Sequence, residues 1–239
     1  MRAVAINIGA NTNEPGFRGP IYPDGSFEYI PIPESKSTAE PVTTYGDLAP
    51  HLDTPIPDSL ADTPVHLDPE FAEYPACDRY TYGDEHGIKA GPLSELSAGD
   101  LVLFYATLTV KEAAEWLPPT WGAFVIGEFV LAADPLTPEA EPIPGDERPH
   151  FQTNAHTKRD PPDARVLLRG DDERSQLYDQ AVPLSTPAGG TEPNALVTDL
   201  SADSGRGPWW RRPLRFDTHA TARLRERLEE TVGQNYQPS

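Results

Sequence analysis

The stretch AGDLVLFYATLTV at residues 98–110, followed by WGAFVIGEFVLA at residues 121–132, decides the fold expected for this chain. A Gly-Asp turn opens the first segment, and each segment then continues as an apolar and aromatic run typical of a buried strand. Gly122 and Gly127 lie inside the second run, where glycine often marks a tight bend. Two adjacent apolar strands with internal glycine therefore predict a small closed or partly closed barrel.

Further strands and helices are predicted on both sides of this hairpin. We expect strands at residues 3–9, 26–32 (on a sheet edge) and 164–170, and helices at residues 171–185 and 217–232. The first helix would carry Leu177 and Ala181 on one face. The second has Asp217 as its N-cap candidate, and its apolar residues recur every four positions, at Ala220, Leu224, Leu228 and Val232. Because strands do not alternate regularly with helices, the pattern predicts an α+β fold with appended helices.

The segments between these elements are rich in proline, of which the chain has 28 in 239 residues. The prolines are spread along the chain, which predicts ordered, extended loops rather than one disordered tail. We expect a single domain over residues 1–239 with long insertions at residues 35–98, 134–150 and 186–207. No run approaches the roughly 18 apolar residues of a membrane helix and no signal pattern is present, so the prediction is a cytoplasmic protein without membrane contact.

The charge balance is strongly acidic, with 38 Asp and Glu against 19 Lys and Arg and a formal net charge of −19. Four basic residues are lysines and the acids are dispersed, which favours adaptation to high intracellular salt, as in halophilic archaea. The alternative is an acidic protein of an ordinary cell with a cationic partner. In an ordinary cell this charge argues against nucleic-acid binding. At about 1 M salt the Debye length is about 3 Å, so the net charge repels a nucleic acid little and only local contacts affect its binding.

Cys77 is the sole cysteine, which rules out an intrachain disulfide and a multi-cysteine zinc site. It is a nucleophile or, as we favour, a half-buried thiol. The chain has no Walker-type or dinucleotide-type glycine motif, so a bound nucleotide cofactor is not indicated, and the identity of any other cofactor stays open.

The segment HLDPE at residues 66–70 places a histidine and a carboxylate two residues apart. In an extended segment His66 and Asp68 point to the same side. Such a pair binds a divalent metal or acts as a base with an orienting carboxylate. The alternative is a turn in which Asp68 caps the backbone and His66 is half exposed.

The segment NAHTKR at residues 154–159 supplies hydrogen-bonding groups and positive charge. Asn154 can bind a base edge through two hydrogen bonds, and Lys158 or Arg159 can bind a phosphate. A solvated loop is the alternative. If His156 converges with His66 and Asp68, the three side chains offer three ligands to a metal.

Two other segments contain candidates for nucleotide contact. In residues 15–34, glycines and prolines would fix an extended path that forms one wall of a pocket, with Arg18 and Tyr22 pointing inward; the alternative is an edge segment protected by proline. In residues 206–215, Trp209 and Arg211 have the groups that stack on bases and bind phosphates. The alternative there, which we favour, is that the tryptophans anchor the final helix.

Several blocks of the chain resemble, in the same order, the third nucleotide modification associated domain family. These blocks are PGFRGPIYPDGSFEYIPIPE (15–34), HLDPEF (66–71), TYGD (81–84), GDLVLFYA (99–106), NAHTKR (154–159) and GDDERSQLYDQAVPLS (170–185). The family is associated in genomes with enzymes that modify bases of viral and cellular DNA. The resemblance implies a role in nucleotide or nucleic-acid modification, without a particular reaction.

A second resemblance is confined to the central hairpin. GDLVLFYA, with GAFVIGEFVLA after it, is similar to the core of PUA-like, ASCH and EVE domains, which are small pseudo-barrels that bind RNA or modified bases. This resemblance implies a PUA-like mixed β pseudo-barrel.

These observations lead to three hypotheses. In the first, the protein binds a nucleotide or a base of DNA or RNA, modified or not, as a recognition module or accessory enzyme. In the second, it is a metal-assisted hydrolase or transferase that acts on nucleotides through His66, Asp68 and His156. In the third, it is a structural protein with a salt-adapted surface. A cleft with aromatic walls would favour the first hypothesis, and convergence of the three side chains would favour the second.

Overall fold

The computed structural model describes residues 1–234, in which strands and helices are mixed without regular alternation. The strands are β1 (Ala3–Asn7), β2 (Pro20–Ile21), β3 (Thr81–Asp84), β4 (Leu101–Val110), β5 (Trp121–Val130), β6 (Val166–Arg169), β7 (Gln176–Pro183), β8 (Ser185–Thr186), β9 (Gly189–Pro193) and β10 (Leu214–Phe216). The α-helices are α1 (Tyr45–Leu48), α2 (Gly87–Ser94), α3 (Ala155–Lys158) and α4 (Thr218–Gln234). Shorter helical turns are Ala49–His51, Asp58–Leu60, Arg148–Phe151, Leu196–Leu200 and Trp209–Arg211. The α+β class is confirmed.

A mixed six-stranded sheet forms the centre of the protein. Its order is β10-β1-β4-β5-β7, and β2 also pairs with β4. β1 is parallel to β4, whereas β4 and β5 form the predicted antiparallel hairpin. The two hairpin strands are almost entirely buried, as their continuous apolar runs require. Among residues 1–234 this sheet does not close on itself, so the PUA-like pseudo-barrel is not confirmed.

Apolar side chains cover both faces of this sheet. On the front face, Phe104 and Phe129 pack against Phe71. On the back face, Tyr105 belongs to a core that includes Leu224 of α4. Phe71 lies so close to β5 that a Cβ at Gly127 would lie 2.6 Å from its Cε1 atom, so glycine is required there. This contact docks the segment that carries His66 and Asp68 onto the front face.

The strand pair β3–β6 also packs in front of the central sheet. The two strands are antiparallel, and Tyr82 and Leu168 enter the front-face core. β3 corresponds to TYGD, which the sequence placed inside the loop of residues 35–98. That region also contains α1 and α2, and residues 186–207 contain β9. Two of the three predicted insertions therefore contain regular structure.

Two predicted elements are wrong. Residues 171–185 form no helix, because Gln176–Pro183 pairs with β5 as β7. Leu177 and Ala181 are four residues apart, a spacing that puts side chains on one side of a strand as well as of a helix. Residues 26–32 form no regular strand; Phe27 makes an isolated bridge to Ile21, and the segment continues into Pro31 and Pro33, which lack an N–H donor.

α4 agrees with the predicted final helix. Oδ1 of Asp217 accepts a hydrogen bond from the backbone N–H of Ala220, which is an N-terminal cap. Ala220, Leu224 and Leu228 are buried on the back face, and the side chain of Val232 lies outside the described residues. Within residues 1–234, no helix has the length and apolar character needed to span a membrane.

Candidate metal centre

His66, Asp68 and His156 come together although they lie far apart in the sequence. Nε2 of His156 lies 3.5 Å from Oδ2 of Asp68, and Nε2 of His66 lies 3.9 Å from the same oxygen. The two imidazole rings meet edge to face, with centroids 4.9 Å apart. All three side chains are buried. The structure thus forms a cluster of two histidines and one carboxylate.

Asp68 is oriented by hydrogen bonds to its other oxygen, Oδ1. The backbone N–H of Gly83 donates to Oδ1 at 2.9 Å, and Nδ2 of Asn154 donates at 3.0 Å. These bonds leave Oδ2 facing the two histidines. A Cβ at Gly83 would lie 2.9 Å from Cδ2 of His156. Glycine in β3 is therefore what allows the backbone to approach both Asp68 and His156.

Each histidine is oriented by a carboxylate at its Nδ1 atom. Nδ1 of His66 lies 2.6 Å from Oε2 of Glu34, and Nδ1 of His156 lies 2.8 Å from Oδ1 of Asp163. Burial opposes ionisation of Glu34, but hydrogen bonds from His66 and Arg159 outweigh it and lower the pKa of Glu34 to about 2. Because an ionised carboxylate only accepts hydrogen bonds, the ring proton lies on Nδ1. Each Nε2 then directs its lone pair towards Asp68, the arrangement usual for metal-binding histidines.

Arg159 connects the two orienting carboxylates. Its Nη2 atom donates to Oε1 of Glu34 at 2.8 Å, and its Nη1 atom donates to Oδ2 of Asp163 at 2.9 Å. The ammonium group of Lys36 also bonds to Asp163, at 2.7 Å. The side chains of Arg159 and Glu34 are only 5% and 2% exposed. The supporting layer of the site is therefore a buried, largely paired charge network.

The surroundings of the cluster compensate the negative charge of the Asp68 carboxylate poorly. Burial raises the pKa of Asp68 well above its usual value, because the carboxylate is poorly solvated. Burial lowers the pKa of His156, and the neighbouring His66 adds to this effect. A cation between the three side chains would offset the negative charge of Asp68 and accept the lone pairs of both histidines.

The spacing of the cluster fits a bound metal ion better than direct hydrogen bonds. The distances of 3.5 and 3.9 Å exceed the usual hydrogen-bond range of about 2.7–3.2 Å. Ligands that bind a metal tetrahedrally at about 2.0–2.1 Å are about 3.4 Å from one another. One ligand atom from each of the three residues lies within 4.8 Å of the other two. Two imidazoles and one carboxylate are a donor set suited to zinc or ferrous iron.

A neighbouring cluster of Glu85, His156 and Asp163 also brings three potential ligands together. There, however, Nη1 of Arg159 lies 3.3 Å from Glu85, and Lys36 bonds to both Glu85 and Asp163. Side-chain cations already compensate these carboxylates, so this second cluster supports the first and is a poor metal site.

The three side chains open into a cavity of about 210 Å³. Its walls include Tyr82 and Pro33, and its charged residues are Glu14, Asp84, Glu85, Lys89 and Arg159. The hydroxyl of Tyr82 donates to Oδ2 of Asp84 at 2.8 Å, and Nζ of Lys89 lies 3.7 Å from the same carboxylate. The cavity thus has room for a small molecule or a base beside the cluster.

Comparison with known proteins identifies the family of the chain. The sequence model of nucleotide modification associated domain 3 matches residues 2–231. The chain belongs to this family. No curated protein and no solved structure gives a significant match. Membership in the nucleotide modification associated domain 3 family connects the protein with nucleotide modification in general, without specifying a reaction.

Other residues that the sequence proposed for nucleotide contact in this family member have different environments. Asn154 is fully buried, and its amide nitrogen is bonded to Asp68 and Thr81, so it positions the cluster and cannot bind a base edge. Lys158 is bonded to the carbonyl oxygen of Pro41. Arg159 lines the cavity, but its guanidinium is bound by Glu34 and Asp163.

The remaining candidates lie away from the cavity. Tyr22 is half-buried and has acidic neighbours such as Glu28. Trp209 is fully buried, and its indole N–H donates to the carbonyl oxygen of Thr191, which agrees with the alternative that it anchors the final helix; stacking of its ring on a base stays a prediction. Arg18 lies over the ring of Trp121, the charge of Arg211 acts on it, and neither arginine lines the cavity. The single concave site that would unite all these residues is therefore not formed.

Four residues of the site were not predicted from the sequence: Glu34, Asp163, Gly83 and Lys89. Glu34 ends the block at residues 15–34 and Gly83 lies in the TYGD block, so the resemblance to the family could have identified both residues. Asp163 follows two prolines in a loop and had no comparable signal.

Proposed function

We propose that this protein is a metal-dependent enzyme that modifies a nucleotide or a base of a nucleic acid, with His66, Asp68 and His156 as the metal ligands. The observation that supports this proposal most is the pairing of both Nδ1 atoms with carboxylates, Glu34 and Asp163. A carboxylate at Nδ1 fixes the tautomer that leaves Nε2 free for a metal and raises the basicity of the ring. Family membership supports a nucleotide or a nucleic acid as the class of substrate.

Three protein ligands beside an open cavity are typical of a catalytic rather than a structural metal site, because a structural site is closed by four. A divalent cation in this position supplies Lewis acidity and orients a substrate. The protein fixes both histidine tautomers and holds Asp68 through Gly83 and Asn154. Lys89 lines the cavity and is the candidate for proton transfer to or from the substrate, whereas Tyr82, whose pKa is raised well above its usual value by burial, positions Asp84.

Metal analysis of the purified protein tests this proposal. We expect one zinc or iron ion per chain, and we expect His66→Gln, Asp68→Asn and His156→Gln to lower metal affinity at least 100-fold. His51→Gln is the matched control, since His51 is exposed and lies outside the cavity. Mass spectrometry of nucleosides and oligonucleotide bases, incubated with the loaded protein, would detect the modification. Wild-type metal affinity in all three ligand variants would refute the metal centre.

A second candidate function is recognition of a base without chemistry. The volume of the cavity, about 210 Å³, and its polar groups at Tyr82, Asp84 and Lys89 support it. In that case the protein binds a nucleoside equally well with and without metal, and no mass change appears in any substrate.

A further inference from the structure

A surface at the end of the central hairpin combines arginine and tryptophan side chains. We call Arg18, Trp121, Trp210 and Arg211 the arginine–tryptophan surface. The guanidinium carbon of Arg18 lies 4.5 Å from the ring centroid of Trp121, which is a cation–π contact. The rings of Trp121 and Trp210 meet edge to face, with centroids 5.5 Å apart. Nε of Arg18 donates to Oγ1 of Thr107 at 3.2 Å, which fixes the guanidinium.

The two arginines of this surface differ from most others in the protein. Most arginines lie within 4.0 Å of a carboxylate, as the acid-rich composition favours. Among the residues that the structure describes, five arginines have no carboxylate at that distance: Arg18, Arg148, Arg206, Arg211 and Arg223. Of these, Arg18 lies over the ring of Trp121, and Arg211 follows Trp210 in the chain. Burial, followed by the charge of Arg211, lowers the pKa of Arg18, because a nearby cation disfavours the protonated guanidinium. In a chain with a net charge of −19, two adjacent cations without an acid indicate a site for an external anion.

The geometry points to a single-stranded nucleic acid as the partner of the arginine–tryptophan surface. Its phosphates would pair with Arg18 and Arg211, and unpaired bases would stack on the guanidinium and indole groups. A free nucleotide carries one base and its phosphates at one position, whereas a strand offers successive phosphates and bases to two arginines and two tryptophans. A duplex keeps its bases stacked inside and gains nothing from the tryptophans. This inference goes beyond the proposed metal centre and stands independently of it.

The position of this surface relative to the cavity agrees with a strand as ligand. Trp210 packs against the back-face core, while the metal cluster lies in front of the sheet. One loop connects the two sites, since Gly9 and Glu14 line the cavity and Arg18 follows four residues later. Four extended residues span at most about 14 Å. Arg18 therefore lies within about 14 Å of the cavity-lining Glu14, a distance that a few nucleotides of a strand can span.

Fluorescence anisotropy with a labelled single-stranded oligonucleotide of about 12 nucleotides tests the inference. We expect Arg18→Gln/Arg211→Gln to weaken binding at least 10-fold at about 0.15 M salt, and to reduce the salt dependence by the equivalent of about two phosphate contacts. Arg174→Gln is the control, because Arg174 is exposed and paired with Asp171. It should bind as the wild type does. Trp121→Leu should weaken binding without reducing the salt dependence.

Three outcomes would overturn the inference: no oligonucleotide binding by the wild type, equal affinity of the double variant, or tighter binding of duplex than of single strand. A His66→Gln variant separates this inference from the proposed function. It should lose metal and retain oligonucleotide affinity, whereas the double arginine variant should retain metal.

Discussion

Replacing Arg159 with methionine tests the supporting layer of the metal centre without touching a proposed ligand. Methionine retains much of the unbranched stem and removes the guanidinium that joins Glu34 to Asp163. Both carboxylates then lose a buried partner, and both are the groups that orient the histidines.

The cost follows from the exposure of each carboxylate. Removing one partner of a buried ion pair costs about 3–5 kcal/mol, because the other charge is left uncompensated. Asp163 is 21% exposed and keeps Lys36, so its share of the loss is small. Glu34 is 2% exposed and keeps only its bond to His66 among its charged partners. We therefore expect the lower end of the range, about 3 kcal/mol in the free energy of unfolding. Metal affinity should fall about 10–100-fold, as for other losses around metal-binding histidines.

Guanidinium chloride unfolding and calorimetric titration with zinc measure the two effects. Arg165→Met is the matched control, because Arg165 and its partner Glu139 are 49% and 64% exposed. An exposed pair contributes less than about 1 kcal/mol. If Arg159→Met unfolds and binds zinc like the control, the carboxylate–histidine network does not organise the site, and the reasoning from Glu34 and Asp163 fails.

Two further predictions concern the packing of the site and the reactivity of the thiol. Gly83→Ala should lower zinc affinity about 10-fold, because the added Cβ displaces His156. The control is Gly91→Ala in helix α2, where the added Cβ meets no atom within 4 Å and zinc affinity should stay unchanged. A similar loss of affinity in both variants would contradict the prediction. Burial, with a contribution from the charge of Glu70, raises the pKa of Cys77 to about 12. Iodoacetamide at pH 9 should therefore alkylate the folded protein roughly 100-fold or more slowly than the unfolded chain, and equal rates would show an accessible thiolate.

The sequence predicted the elements whose pattern has one structural solution. The hairpin β4–β5 is a pair of long apolar runs, and α4 combines a cap at Asp217 with apolar residues at helical spacing. β7 was mistaken for a helix because residues four apart share a side in both structures, and only pairing with β5 distinguishes them. Adaptation to high salt stays a prediction.

Only the part of the candidate site that lies within one short segment of the sequence could be predicted. His66 and Asp68 have such a spacing, whereas the contact with His156 depends on β3 approaching α3 at Gly83. The sequence could not assign one partner to Asn154, because its amide suits a base edge as well as it suits Asp68. Burial decides between the two, and burial is a property of the folded chain.

The charges of the two sites favour binding of a base in the cavity and of phosphates at the arginine–tryptophan surface. Glu14, Asp84 and Glu85 line the cavity, and the guanidinium of Arg159 is already bound by carboxylates. A phosphate in the cavity would face these acids, with Lys89 and the proposed metal ion as its cations, whereas an uncharged base is not repelled by them, so we expect the base to enter there. The phosphates need cations without acidic partners, and Arg18 and Arg211 are such cations on the other side of the connecting loop. A strand that crosses this loop satisfies both conditions, whereas a mononucleotide held in the cavity brings its phosphate against Asp84 and Glu85.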